Sequence, residues 1–395
     1  MEKRIGRVTF MINRVMADQM RAQAQWFPVL SVTGPRQSGK STLVKSVFDS
    51  YEYVNLEDPQ LRREALEDPV GFIRTRPARL IIDEAQYAPE LFSVIQVVSD
   101  EREEAGQYIL SGSQNFLLTK RIGQSLAGRV GLLKLLPVSY EECRGYDPAC
   151  TSESFMFTGG YPRLLSTGMP ASLFFSSYLD TYIERDVADY LDVRNLTAFR
   201  RFVQLCALNA GNLMNYSSLA RDADIDARTA KAWLSMLDAS YITFALHPYY
   251  RNPGKRLTKS PKLYFYDTGL LCYLLGISSS EQLVSSEYFG AVCENFIVAE
   301  TQKNHLNRGV RPELYFYRDD RKIEVDLLDF TDARARKLVE VKSGQTYRDA
   351  HARHLQTVGV ELEVPAADRY VVSRVEHGFR ASAATVSTYD EWLLG

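Results

Sequence analysis

Cysteine is scarce in this chain. There are five in 395 residues, Cys143, Cys150, Cys206, Cys272 and Cys293, an odd number with no C-x-x-C pair. That argues against a disulfide framework and fits a reduced, cytoplasmic protein. Long hydrophobic runs are missing too, and none approaches the roughly 20 residues of a membrane helix. The start, MEKRIGRVTFMINRVMADQM, has charges through its apolar part and does not read as a secretory signal. No charge of one sign dominates. Lys+Arg 47 against Asp+Glu 49 leave a net charge of −2, so any nucleic-acid surface must be local. With 45% hydrophobic and 24% charged residues, a disordered or collagen-like chain is excluded. The length predicts two to three domains at roughly 100–200 residues each.

Strands and helices alternate at first. VLSVT (29–33), YVNL (53–56), LIID (80–83) and residues 107–110 read as buried strands, with helices over residues 11–25, 41–48 and 89–104. This pattern predicts a parallel sheet covered on both faces. The character changes near Tyr161, where Phe175, Leu179, Tyr182, Ile183, Val187 and Tyr190 share one helical face. Helices over 217–223 and 227–239, with Asp226 as N-cap between them, have helix-turn-helix spacing. YITFAL, a turn at Asn252-Pro253-Gly254 and KLYFYD then predict a hairpin wing. A third region opens with a helix near Gly290 and continues with the strands LYFYR, KIEVDLLDF and KLVEVKS. The expected domains are therefore 1–150, 151–285 and 286–395.

Gly34-Pro35-Arg36-Gln37-Ser38-Gly39-Lys40-Ser41 matches G-x-x-x-x-G-K-[ST] at every position, between a strand and a helix. Gly34 and Gly39 permit a backbone whose N–H groups point at phosphate oxygens, and the helix N-terminus adds partial positive charge. Lys40 is expected on the β- and γ-phosphates and the Ser41 hydroxyl on Mg²⁺. Asp83 emerges from the apolar LIID strand to hold the same ion through water, and Glu84 is set to orient or deprotonate an attacking water. Ser111, Ser113 or Gln114, at the end of YILSGSQ, are candidates to sense the γ-phosphate. Arg129 is a candidate charge on the transferring phosphoryl group, in cis or from a neighbouring subunit, or an ordinary sheet-edge arginine.

A second constellation lies near the C-terminus. Asp326 and the pair Glu340/Lys342 stand on two strands expected to form an antiparallel hairpin, with Glu340 and Lys342 on one face. With Glu294 from the helix GAVCENFIV, they suit Mg²⁺ and a phosphodiester, Lys342 stabilising charge. The competing reading is a charged sheet face with cross-strand pairing. Arg251, Lys255, Arg256, Lys259 and Lys262 form a basic run on the wing, and Arg228 and Lys231 lie on the second helix; all are candidate DNA-phosphate contacts. His351, His354, Trp233 and residues 263–267 read as surface or core.

Taken in order, GPRQSGKST, LIIDEAQ, ILSGSQ, SLAGRV, TGGYPRLL, YIERDV, KSPKLYFYDTGLL, GAVCENFIVAE, IEVDLL and VEVKSG resemble a prokaryotic family. Its members join an AAA-type P-loop ATPase module to the C-terminal domain of unknown function 4143. The resemblance covers the chain to about residue 375. It implies an α/β fold with an additional-strand P-loop sheet, then a winged-helix domain and a restriction-endonuclease-like domain. It implies nucleotide contacts from Gly34 to Thr42, with ATP and Mg²⁺ as cofactors; no guanine-reading N-K-x-D motif is evident. Two functions are carried forward. One is an ATPase whose nucleotide state licenses action on nucleic acid, with a homo-oligomer one arrangement for it. The other is a nucleotide-controlled adaptor whose nuclease-like domain is inactive and binds a protein partner. A small-molecule kinase ranks below both.

Overall fold

A computed structural model describes residues 12–113, 126–182, 196–250 and 259–395 of the chain. The first part begins with α1 (Met16–Gln23), β1 (Val29–Thr33), α2 (Lys40–Val47), β2 (Glu52–Asn55), α3 (Pro59–Glu67) and α4 (Pro69–Arg74). It continues with β3 (Leu80–Asp83), α5 (Leu91–Arg102), β4 (Tyr108–Gly112) and β5 (Val130–Lys134). The five strands pair in parallel in the order β2-β3-β4-β1-β5, so β4 stands between β1 and β3. Side chains alternate across this sheet with the period of two that a strand imposes. Val29, Leu80, Ile82, Tyr108 and Leu110 enter one core with Phe92 and Ile95. Leu30, Val32, Ile81 and Ile109 enter the other with Met16, Met20, Leu43 and Val44. Apolar residues face both ways, which is why these strands read as unbroken hydrophobic runs.

The middle part is helical: α6 (Tyr140–Tyr146), α7 (Ser152–Thr158), α8 (Pro162–Thr167), α9 (Ala171–Tyr182), α10 (Leu196–Leu208), α11 (Tyr216–Ala223) and α12 (Ala227–Ala239). Asp226 caps α12 as its position suggests, accepting from the backbone N–H groups of Arg228 at 2.9 Å and Thr229 at 3.0 Å. Trp233 is core, edge-on to Phe199 and Phe202. Phe175, Leu179 and Tyr182 are buried, whereas Ile183, Val187 and Tyr190 lie outside the described residues.

There follow β6 (Thr243–Pro248), β7 (Lys262–Phe265), α13 (Thr268–Leu274), α14 (Ser280–Ser285), α15 (Phe289–Asn307), β8 (Leu314–Arg318), β9 (Glu324–Asp329) and β10 (Lys337–Val341). The remaining elements are α16 (Arg353–Glu361), β11 (Arg369–Ser373), β12 (Phe379–Arg380), β13 (Thr385–Thr388) and α17 (Tyr389–Leu394). β6 and β7 form an antiparallel pair, and the turn expected at 252–254 lies outside the described residues. A mixed eight-stranded sheet runs β12-β13-β11-β10-β9-β8-β6-β7, so it crosses the boundary expected at 285/286. One hydrophobic core, from Leu136 through Phe202 and Leu271 to Val339 and Leu393, does the same.

The outer strand β7 would leave backbone polar groups unpaired at the sheet edge. Asn295 on α15 answers this by accepting from Phe265 N and donating to Phe265 O, both at 2.8 Å. That clasp sets the preceding residue, Glu294, beside Lys262 and Tyr264. All five cysteines are free, with the sulfurs of Cys143 and Cys150 3.3 Å apart. Among the described residues no helix is long and apolar enough to cross a membrane.

Candidate functional site

The loop from Gly34 to Lys40 leaves the C-terminal end of β1 and opens α2. Two glycines are required by the geometry. A Cβ on Gly34 would lie 2.0 Å from the Leu135 carbonyl oxygen, and Gly39 holds φ +91°, where a side chain is strained. The Lys40 ammonium donates to the carbonyls of Gly34 at 3.0 Å and Pro35 at 2.8 Å, which keeps it over the loop. Ser38 Oγ, within the loop, is buried with no hydrogen-bond partner among the described residues, an orphaned polar atom of the kind a bound group would satisfy. Arg14, missed in the sequence, braces this loop from outside. Its guanidinium donates to Ser38 O at 2.9 Å, Leu136 O at 2.7 Å and Glu142 Oε2 at 3.0 Å, with both partners of the ion pair buried. Nothing local to Arg14 signals the role, because its partners lie far along the chain.

Asp83 ends β3, buried, accepting from Tyr53 Oη at 2.7 Å and Ser111 Oγ at 2.6 Å. Burial, then the hydrogen bond to Asp83, raises the Tyr53 phenol well above its ordinary range. Glu84 adopts a left-handed backbone at φ 52°, uncommon without glycine, and Gln86 Nε2 donates to its Oε2 at 2.5 Å. Ser113 donates to the same oxygen through its hydroxyl at 3.2 Å and its N–H at 3.3 Å. The structure thus brings Lys40, Ser41, Asp83, Glu84 and Ser113 to the C-terminal ends of adjacent strands, where α/β sheets bind ligands. The contact of Ser113 is with Glu84, so it reads as an orienter of the carboxylate. A hydroxyl, a water-linked aspartate and phosphate oxygens are donors that magnesium accepts, so the residues fit that ion. Gln114 lies outside the described residues.

Arg129 is a correction. Its carbonyl accepts from Val29 N, at the start of β1, and its guanidinium is paired with Asp100 at 2.5 and 2.8 Å. The loop begins after Thr33, four residues and about 13 Å along the strand at the usual rise. Arg129 therefore does not reach the phosphate loop of its own subunit. Thr33 has another link that the sequence concealed, a 2.7 Å hydrogen bond between its hydroxyl and that of Tyr241, just after α12. A cavity of about 380 Å³ adjoins the loop, lined among others by Asn13, Gly39, Thr42, Leu43, Pro162 and Arg163.

The C-terminal constellation also assembles. β9 and β10 are antiparallel with Val339 opposite Leu327, which brings Glu340 beside Asp326, and Asp326 Oδ2 accepts from Val341 N at 2.8 Å. Lys342 Nζ donates to Glu340 Oε1 at 2.6 Å, while Glu340 Oε2 is buried without a partner among the described residues. Burial, then the Asp326 charge, pushes the Glu340 carboxyl up to about 8. Glu294 rises to about 7 for the same two reasons, opposed by Lys262. Glu294, expected as a metal ligand, is already engaged within the protein: Lys262 Nζ at 2.9 Å and Tyr264 Oη at 2.6 Å both donate to its Oε1.

Lys262 also pairs with Glu324 at 2.7 Å and is only 4% exposed, so it is no wing phosphate contact. Burial works against its charge, but Glu294, Asp326 and Glu324 outweigh it and raise its pKa. Lys262 and Tyr264, two apart on a strand, share a face; that polar alternation within KLYFYD was the available signal. Among the described residues no three or more His, Cys, Asp or Glu are grouped to hold a metal ion. The donors here fit magnesium held by one or two carboxylates and water, not an all-protein cage.

Arg228 and Lys231 are exposed on the first turns of α12, and Lys259 is exposed in the connection just ahead of β7; Arg251, Lys255 and Arg256 lie outside the described residues. His354 is partly buried against the backbone of Glu324, 3.0 Å from its carbonyl oxygen, and so is not a solvated surface residue.

Comparison with known proteins finds three family models along the chain. The family model of an AAA domain matches residues 27–144, a domain of unknown function (DUF8612) matches 151–281, and another (DUF4143) matches 289–390. An uncharacterized protein of Mycobacterium tuberculosis is 30% identical over 386 residues, covering 96% of this chain and 84% of the relative. An uncharacterized protein of Methanocaldococcus jannaschii is 21% identical over 381 residues, covering 88% and 82%. Among solved structures, a Walker-type ATPase of Pyrococcus abyssi aligns over 67% of this chain and 96% of its own, with a TM-score of 0.46 and 14% identity.

Proposed function

Because the chain belongs to the family that joins an AAA-type P-loop ATPase domain to the domain of unknown function DUF4143, we propose that it hydrolyses ATP with magnesium and that its nucleotide state governs action on nucleic acid by the C-terminal half. The observation that carries the reading is Glu84, held by Gln86 and Ser113 next to the metal-side Asp83 and across from the Gly34–Lys40 loop. A bare nucleotide binder has no use for a carboxylate oriented there. Residues 34–42 hold the phosphates, with Lys40 neutralising their charge, and Ser41 and Asp83 hold the ion. Magnesium, when bound, supplies charge neutralisation at the transferring phosphoryl group. Glu84 takes the proton of the attacking water, and the cavity beside α2 receives the base and ribose. Arg129 contributes only in trans, which requires a homo-oligomer.

In this reading α11, α12 and the β6–β7 pair form a winged helix whose Arg228, Lys231, Lys255 and Arg256 contact DNA phosphates. Residues 286–395 form a restriction-endonuclease-like module, with Glu340, Asp326 and Glu294 on the metal side and Lys342 stabilising developing charge. The protein works in the cytoplasm. Two observations favour the second reading, an adaptor with an inactive nuclease-like domain: Glu294 is already held by Lys262 and Tyr264, and among the described residues no three His, Cys, Asp or Glu side chains are placed to hold a metal ion together.

The test compares wild type with Lys40→Ala, Glu84→Gln and Glu340→Ala on labelled single- and double-stranded DNA with Mg²⁺ or Mn²⁺. Nucleotide binding, phosphate release and strand cleavage are read together. The expected pattern is loss of ATP binding in Lys40→Ala and binding without turnover in Glu84→Gln. Glu340→Ala should lose cleavage and keep its ATPase. Phosphate release by Glu84→Gln at the wild-type rate would refute Glu84 as the group that activates water, and phosphate release by no form, wild type included, would refute the ATPase assignment. Cleavage by none of the forms would select the adaptor.

A further inference from the structure

Lys262 is a charged side chain from the edge of the eight-stranded sheet closed inside a carboxylate cluster built by other elements. It comes from β7, at the outer end of the eight-stranded sheet, whereas its partners come from α15 and β9. Its ammonium lies 2.9 Å from Glu294 Oε1 and 2.7 Å from Glu324 Oε1, and its side chain is 4% exposed. Tyr264, two residues on and fully buried, donates to the same oxygen of Glu294. A nearly solvent-free lysine bound on two sides by partly buried carboxylates does not swing out as a surface lysine does, because leaving would break both ion pairs and leave the carboxylates unpaired. It therefore occupies a position that a cation from solution would otherwise seek. The opposite end differs, for there Glu340 Oε2 is buried without a partner among the described residues.

The charge count points the same way. Glu294, Glu324, Asp326 and Glu340 are set against Lys262, Lys342 and, on the far oxygen of Glu324, Arg318 at 3.0 Å. Fully ionised, the group carries one surplus negative charge, which one divalent ion overturns and which cannot neutralise two. We propose that Lys262 is a permanent internal cation of this cluster, lent by the β6–β7 pair, and that it restricts the cluster to a single exchangeable divalent ion at the Glu340–Asp326 end. The inference rests on reading the cluster as a metal-binding, nuclease-like site. Lys262 is a positioning residue there: with Tyr264 it fixes Glu294, and the site is incomplete without the β6–β7 pair.

The experiment measures Mn²⁺ binding to the full chain without nucleotide, by calorimetry and by the electron paramagnetic resonance of free Mn²⁺, in wild type, Lys262→Met and Lys262→Arg. Wild type should bind one ion. Lys262→Met should bind a second, or bind the first at least about tenfold more tightly, since a full charge within a few ångströms of the ion has gone. Lys262→Arg should match wild type. Lys262→Met with unchanged stoichiometry and affinity, its unfolding midpoint near that of wild type, would overturn the proposal. So would Lys262→Arg behaving like Lys262→Met. If Lys262→Met does not fold, Glu324→Gln tests the count in the opposite sense and should weaken the wild-type ion about tenfold; no change would again overturn it. Glu340→Gln separates the two ideas. Mn²⁺ binding indifferent to Glu340 but enhanced in Lys262→Met would sink the assigned metal site and leave Lys262 as the internal cation.

Discussion

Replacing Glu340 by glutamine should make the protein more stable at alkaline pH and leave it nearly unchanged in acid. The Glu340 carboxyl is raised from 4.5 to about 8 by burial and by Asp326, with Lys342 opposing. The folded chain therefore holds this proton more tightly than the unfolded chain does. A group raised on folding contributes stability that is complete below about pH 4.5 and is lost as the pH climbs through about 8. At about 1.4 kcal/mol for each pH unit, the upper bound on the loss is about 5 kcal/mol. Asp326 and Lys342 share the titration, so roughly half, ~2–3 kcal/mol, is the expected difference. Glutamine keeps the shape and the carbonyl facing Lys342 but cannot ionise. Urea unfolding of both proteins from pH 4.5 to 9 reads the effect. The variant should gain steadily above about pH 5 and level off near pH 9. Parallel curves across the range would show that Glu340 does not sit in a carboxylate-crowded, water-poor place, and the picture of the cluster would fall with them.

Arg14→Met should cost about 3–5 kcal/mol, because it leaves Glu142 buried and unpaired. It should also weaken ATP binding by releasing the Ser38 carbonyl; an unchanged unfolding midpoint together with unchanged ATP affinity would remove Arg14 as the brace. Asp226→Ala should cost about 1 kcal/mol through loss of two capping hydrogen bonds at α12. Amide exchange in the first turn of α12 checks this, and protection equal to wild type would contradict it.

The local pieces were written in the chain. The β1 strand, the Gly34–Lys40 loop and Asp83 at a strand end follow from apolar runs, glycine positions and a short motif, all set by neighbours in sequence. The Asp226 cap and the pairing of β9 with β10 were legible for the same reason: alternation and capping act over a few residues. Even Lys262 and Tyr264 left a trace, a polar alternation in a strand that looked like simple core. What no local pattern contained was which distant groups would meet. Arg14 finds Glu142 and Ser38 only when α1 lies across the loop, and Thr33 meets Tyr241 only when the helical part docks on the end of β1. The charges of Arg129 and Lys262 were visible from the start, but their surroundings decide their use: a partner at the far end of the sheet for one, burial between two partly buried carboxylates for the other. Sequence sets the charge and the period of each segment. Packing decides the distance and the access of water, and those two quantities determine whether a charge is a surface ornament or part of a site.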